Sequence, residues 1–309
     1  MDGLPLNNQL GYNIAAWMQN KYAITTQKQR ISFLKKTFAE YPILNQENLK
    51  KIMKKVKYQH QRAALMMINN YCYDNDIPFN LKIPSVKKQA DKLPTILSPA
   101  EIELMIKAVP KPYDLAIRCI FNFGAGLRIS EIIKLSWDDI RWIDWLREQD
   151  SYGVVLIKSG KGMKDRVVNI PKNLMKDLYE YAKEQNVLNE FRVPTGRSIF
   201  EFGSLSQKTI KKMQGLSPKD ERLQVEYIQS KYNWFRYHIL QKCCEKALNR
   251  KLKIHSLRHS RATYLHEYEN VPIESLQILL GHKSLNTTMI YTKVNPRRVF
   301  DDLKETKEV

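Results

Sequence analysis

Six side chains scattered along the chain, Arg128, Lys161, His255, Arg258, His282 and Tyr291, together supply what attack on a phosphodiester needs. A tyrosine hydroxyl with pKa ~10 is ionised to on the order of one part in a thousand at neutral pH, so it becomes a nucleophile only with help. Arg128 and Arg258 could hold both non-bridging phosphate oxygens through their planar forks and offset the charge that builds in a pentavalent transition state. By analogy with other oxyanion donors, losing one such clamp costs about 3–4 kcal/mol. His255 has the pKa range for accepting the tyrosine proton, Lys161 could protonate a departing 5′ oxygen, and His282 could donate to phosphate or orient the site. Glu131, three residues after Arg128 on the same helical face, reads as a brace for the pocket. Cys72, Cys119, Cys243 and Cys244 show no C-x-x-C spacing, and no carboxylate or cysteine completes a ligand set beside His255 and His259. The expected chemistry therefore uses neither metal nor cofactor.

These residues need elements to carry them. Gly124-Ala125-Gly126 ends a helix expected over Tyr113 to Phe123, and Arg128 opens the next, whose Ile129, Ile132, Ile133 and Leu135 are apolar. The β-branched runs 154–157 and 167–170 flank a glycine-bearing basic tip at 159–165, which predicts a hairpin with Lys161 at its turn. A three-residue helical step can bring His255 and Arg258 to one face. Gly281 is expected to end a helix and Asn286 to cap the following one, with Tyr291 in its second turn. Ser98-Pro99-Ala100-Glu101 supplies an N-cap, a first-turn proline and the glutamate of a capping box. Four helices are expected in front, over 13–21, 26–38, 46–56 and 59–75, with no strand among them. The lysine-rich interval from Phe202 to Glu226 reads as a loop or insertion. Lys164, Arg166 and Lys283 read as solvated charges or backbone-phosphate contacts, and His259 and His266 as packing or hydrogen-bonding residues.

Composition narrows the partner. The 309 residues are 43% hydrophobic and 27% charged, enough apolar material for a sizeable core. The 51 Lys+Arg against 32 Asp+Glu leave a net charge of +19, which favours a polyanion such as nucleic acid. Apolar runs fall well short of the roughly 20 residues that span a bilayer, and the N-terminus lacks a secretory pattern, so a cytoplasmic location is expected. Prolines 78, 84 and 94 among lysines break the periodicity, giving a division into a helical DNA-binding domain at 1–90, a basic linker at 91–97 and a catalytic domain at 98–309.

Gly-Leu-Arg-Ile-Ser-Glu at 126–131, Gly-Lys-Gly at 160–162, His-Ser-Leu-Arg-His at 255–259, and Leu-Gly-His followed by Thr-Thr-Met-Ile-Tyr at 280–291 stand in this order. In these motifs the chain resembles the tyrosine recombinase family, of the phage integrase and Xer-like kind, closely from 97 to about 296. The basic front resembles that family's core-binding domain by position and composition alone. The resemblance implies a mainly α fold with a small antiparallel β-sheet, arranged as a two-domain C-shaped clamp on DNA. It implies that Arg128, Lys161, His255, Arg258 and His282 surround the scissile phosphate and that Tyr291 forms a 3′-phosphotyrosyl link, without metal or ATP. It further implies a homotetramer on two duplexes, with the tail from Pro296 to Val309 packed on a neighbouring protomer. Integration, excision, dimer resolution and inversion all fit. Two other readings are a type IB topoisomerase, which religates the same strand, and a DNA-binding module with a dead site.

Overall fold

The computed structural model describes residues 3–19, 21–56, 58–85, 94–148, 151–158, 165–196, 198–214, 217, 220–253, 255–282, 284–289 and 291. The fold is mainly helical with small antiparallel strand pairs. It divides into two compact units, one of residues 1–91 with 217–225, the other of 92–216 with 226–309.

In the first unit the helices are α1 (Asn8–Met18), α2 (Ile24–Glu40), α3 (Gln46–Lys55) and α4 (Gln59–Asp74). Helix α1 starts earlier than its apolar periodicity indicates, because the Asn7 side chain accepts from the Leu10 N–H at 2.8 Å and caps it. Asn45 does the same for α3 through the Asn48 N–H. Helix α4 buries Ala64, Leu65, Ile68 and Tyr71, at three- and four-residue spacing, against Leu10, Ile14 and Leu34. The expectation of no strand is corrected by a short antiparallel pair, β1 (Leu4–Pro5) with β2 (Ile43–Leu44), which ties the chain start to the α2–α3 connection. Two-residue strands carry no periodicity for a sequence to show.

The second unit holds α5 (Pro99–Ala108), α6 (Tyr113–Asn122), α7 (Ile129–Lys134), α8 (Trp142–Arg147), β3 (Gly153–Ile157), β4 (Arg166–Ile170) and α9 (Lys172–Glu184). It continues with α10 (Gln207–Met213), the part of α11 (Glu221–Trp234) from Glu226 onward, a π-helical stretch Phe235–Glu245 running into α12 (Lys246–Leu248), then α13 (Ser256–Glu267), α14 (Ile273–Leu280) and α15 (Leu285–Thr288). Strands β3 and β4 pair antiparallel from Gly153↔Ile170 to Ile157↔Arg166, the hairpin that the β-branched runs predict. Its tip, including Lys161 and Lys164, lies outside the described residues. The loop expected over 202–226 is corrected in part. Ser206 caps α10 by accepting from the Thr209 N–H, and α11 begins at Glu221. The lysine-rich composition hid that cap.

Ile117, Ile120, Phe123, Ile132, Val155 and Phe235 centre the main core, and each such side chain contributes about 1.5–3 kcal/mol on leaving water. The end of the expected linker is fastened to this unit, since Leu97 is buried and its N–H donates to Ser260 Oγ at 2.8 Å. Ser98 follows as the N-cap of α5, accepting from the Glu101 N–H at 3.3 Å while Glu101 Oε2 accepts from the Ser98 N–H at 2.8 Å. Replacing Ser98 with alanine removes half of this reciprocal cap. Urea titration should show Ser98→Ala less stable by about 1 kcal/mol with an unchanged slope; a midpoint equal to the parent's would mean the cap adds nothing.

Candidate active site

The turn between α6 and α7 places the first arginine. Gly126 has φ +96°, and a Cβ there would sit 3.1 Å from the Arg258 Cα, so only glycine lets α13 approach this turn so closely. Arg128 then occupies the N-cap position of α7. Glu131 Oε2 accepts from the Arg128 N–H at 2.7 Å, and Glu131 Oε1 accepts from Arg128 Nη1 at 2.8 Å.

Glu131 also receives a second arginine, and this overturns one reading from the sequence. Arg166, expected to be a solvated charge or phosphate contact, is buried and donates from both terminal nitrogens to the two carboxylate oxygens at 2.8 and 2.9 Å. Its Nε–H donates to the Leu279 carbonyl at 2.9 Å, near the end of α14. The signal was present in the strand alternation, because Arg166 shares the inward face of β4 with Val168 and Ile170. Arg258 Nη1 lies 3.7 Å from Glu131 Oε2, so one carboxylate faces three guanidinium groups. Burial works to raise the Glu131 pKa, but the hydrogen bonds and charge of Arg166 and the charge of Arg258 overcome it and hold it at about 2.

Arg258 is buried in α13, donating to the Gly126 carbonyl at 2.6 Å and the Leu280 carbonyl at 2.5 Å. It thereby joins the α6–α7 turn to the end of α14. Burial first, then the neighbouring Arg128, lowers its pKa from the usual guanidinium range. Gly281 ends α14 in the left-handed conformation, φ +65°, as its place in the sequence predicts. His282 follows, with Nδ1 2.9 Å from Thr288 Oγ1, and is pushed down to about 4 by burial and by Arg258, Arg128 and Arg166.

Two local expectations around the tyrosine are corrected. Ser284, not Asn286, takes the N-cap position of α15, and Tyr291 lies beyond the end of that helix at Thr288 instead of within it. Asparagine and serine both suit a cap, and α15 is too short for its periodicity to decide between them. Tyr291 is 1% exposed and packs with Ala125, Ala262, Leu265, Leu276 and Leu280. Its phenol oxygen is 3.0 Å from Nδ1 of His259. Burial raises the Tyr291 pKa, while the positive charges of Arg258 and Arg128 pull it the other way. The structure thus gathers Arg128, Arg258, His282 and Tyr291 in one electrostatic environment, with His255 at its exposed margin as the N-cap residue of α13. Partial burial, then Arg258 and Arg128, lowers the His255 pKa. Lys161 falls outside the described residues. No group of three metal-ligating side chains occurs among those described.

The depressed pKa of Glu131 has a stability consequence. Its charged form is favoured by folding, so the contribution is fully present above the unfolded value near 4.5 and is lost as pH falls toward about 2. The shift corresponds to about 3 kcal/mol at neutral pH. Denaturant unfolding at a series of pH values should find Glu131→Gln destabilised by about 3–5 kcal/mol at pH 7, with a flatter acid limb than the parent between about pH 5 and 2. Equal stability at pH 7 would show that the carboxylate does not hold the cluster.

Residues 95–298 match the phage integrase family model. The chain is 32% identical to the tyrosine recombinase XerA of Thermococcus kodakarensis, over 69% of this chain and 62% of that one. It is 31% identical to XerA of Pyrococcus furiosus, over 76% and 67% respectively, so it spans about two thirds of the length of these relatives. Among solved structures, the XerH site-specific recombinase bound to its palindromic difH substrate in a post-cleavage complex superposes with a TM-score of 0.63 at 19% identity, covering 99% of this chain and 97% of that one. A lambda integrase tetramer bound to a Holliday junction gives 0.60 at 15% identity, over 94% and 78%. These two likenesses concern the fold, which is the one expected from the motifs. With the family model matched over most of the chain and the motif residues gathered as described, the chain belongs to the phage integrase family.

Proposed function

We propose that this protein cuts and rejoins DNA strands at specific sites, with Tyr291 as the nucleophile that forms a 3′-phosphotyrosyl link. The observation that carries the reading is the placement of a buried phenol in the field of Arg258 and Arg128, the two guanidinium groups suited to a phosphate. One carboxylate shared by three arginines leaves an excess of positive charge, which an anionic ester can neutralise. Arg128 and Arg258 hold the non-bridging oxygens, His282 donates to one of them, His255 borders the site, and Lys161 on the hairpin tip protonates the departing 5′ oxygen. The covalent ester preserves the bond energy until a 5′-hydroxyl of a partner duplex attacks it, so neither ATP nor metal is needed.

The net charge of +19 supports duplex DNA as the partner, with the helical front at 1–90 as a DNA-binding domain, 91–97 as linker and 98–309 as the catalytic part. The related lambda integrase is seen as a tetramer on a Holliday junction, and a homotetramer on two duplexes is the corresponding assembly here. Because Tyr291 is 1% exposed, DNA binding must open the cover over the phenol before attack.

The test uses nicked duplexes selected by the full-length protein from a randomised pool. Wild type should give a protein–DNA adduct that survives denaturant, and Tyr291→Phe should give none. Arg128→Ala and Arg258→Ala should slow adduct formation by about 10²–10³-fold. An adduct undiminished in Tyr291→Phe would refute the nucleophile. Relaxation of one duplex without exchange between two would replace recombination by a topoisomerase activity.

A further inference from the structure

The side chain lying against the phenol is not the histidine that the sequence singles out as base. His259 Nδ1 is 3.0 Å from Tyr291 Oη, with the two rings 5.7 Å apart. The His255 ring is displaced by one helical turn, its centroid 6.4 Å from that of His259. Resting on the function proposed above, we infer that His259 is the group that takes the proton from Tyr291 during attack, and that His255 is not.

The geometry meets the first requirement of a general base, a nitrogen within hydrogen-bond reach of the proton it removes. His259 is also free to accept. Burial, then His255, Arg258 and Lys253, pushes it down to about 4, so its ring is neutral near pH 7 and the tautomer bearing its proton on Nε2 leaves the Nδ1 lone pair toward the phenol. A base this weak is poorly matched to a phenol raised by burial, which keeps Tyr291 protonated while no substrate is bound.

An arriving phosphodiester changes that match. Beyond burial, the groups that depress His259 are His255, which repels a second proton when it is itself charged, and the cations Arg258 and Lys253, all on its own side of the site. On the facing segments stand Tyr291 itself and His282, which feels His259 in turn. A phosphate held by Arg258 cancels part of this field, raising the proton affinity of His259 and completing the base only when the ester is in place. The phenol O–H bond then breaks as an N–H bond forms at Nδ1. The phenolate oxygen bonds to phosphorus, the bond from phosphorus to the 5′ oxygen breaks, and that oxygen takes its proton from Lys161. The imidazolium left on His259 returns its proton to Tyr291 when the 5′-hydroxyl of the partner strand reverses the step.

His259→Gln separates holding from proton transfer, since an amide can hydrogen-bond the phenol but cannot take its proton. On the nicked duplexes selected as above, His259→Gln should form the covalent adduct at least a hundredfold more slowly at pH 7 while binding the same DNA equally well in a mobility-shift titration. Raising the pH should recover the rate in this variant, as hydroxide replaces the missing base. Duplexes with sulfur in place of the bridging 5′ oxygen need no acid for their leaving group, and the His259→Gln defect should persist on them. An adduct rate equal to or above wild type would mean that the hydrogen bond only stores the phenol, and a defect that vanished on the sulfur substrate would put His259 on the leaving-group side. Either result overturns the assignment, as would a larger pH-reversible loss in His255→Gln. Tyr291→Phe, run in parallel, reports on the underlying reading separately, because an adduct there would remove the nucleophile whatever His259 does.

Discussion

A single buried carboxylate makes the rest of this site possible. Charged guanidinium groups taken from water without a counter-ion would disfavour the fold by several kcal/mol each, and Arg166 and Arg258 are both buried. Glu131 meets the cost of Arg166 through two paired hydrogen bonds and lies close enough to Arg258 to share its charge. The same carboxylate caps the N–H of Arg128 and holds its side chain. These links join separate elements, because Arg166 belongs to β4, Arg128 and Glu131 to α7 and its cap, and Arg258 to α13. Two arginines then reach the carbonyls of Leu279 and Leu280, which fastens the end of α14, just before His282, to the cluster. One ion cluster therefore ties together Arg128, Arg258 and the segment that leads into His282.

Burial and the cluster together set the ionisation of the neighbouring groups. Burial is the larger influence on each imidazole nearby, and the positive field left by three cations around one anion acts in the same direction. His255, His259 and His282 all hold protons less readily than a free histidine. Neutral histidines cost little in a partly buried pocket and leave the field for an anion to answer. Burial and charge oppose each other at Tyr291, and burial prevails while the apolar floor of Ala262, Leu265 and Leu276 covers the ring.

What was legible in the sequence was what local chemistry determines. The hairpin registered through two β-branched runs, α5 through Ser98 and Glu101, the end of α14 through Gly281, and the front helices through apolar spacing. What was not legible depends on contacts between distant segments. Arg166 sits in a run that reads Lys-Asp-Arg, which resembles a solvated turn, and its burial follows from α7 and α14 packing against the strand. His259 stands next to Arg258 in the same motif, yet only the fold turns it toward Tyr291. The β1–β2 pair, α10 and the Ser284 cap are too short for periodicity to reveal, so local hydrogen bonds settled them.

The central claim is that the phenol of Tyr291 and the arginines gathered by Glu131 converge on one DNA ester. A crystal structure of the full chain covalently trapped on a selected nicked duplex tests this most directly. The account predicts phosphorus bonded to Tyr291 Oη, with guanidinium nitrogens of Arg128 and Arg258 within about 3 Å of its non-bridging oxygens. A trapped phosphate bonded to another side chain, or held away from both arginines, would contradict it.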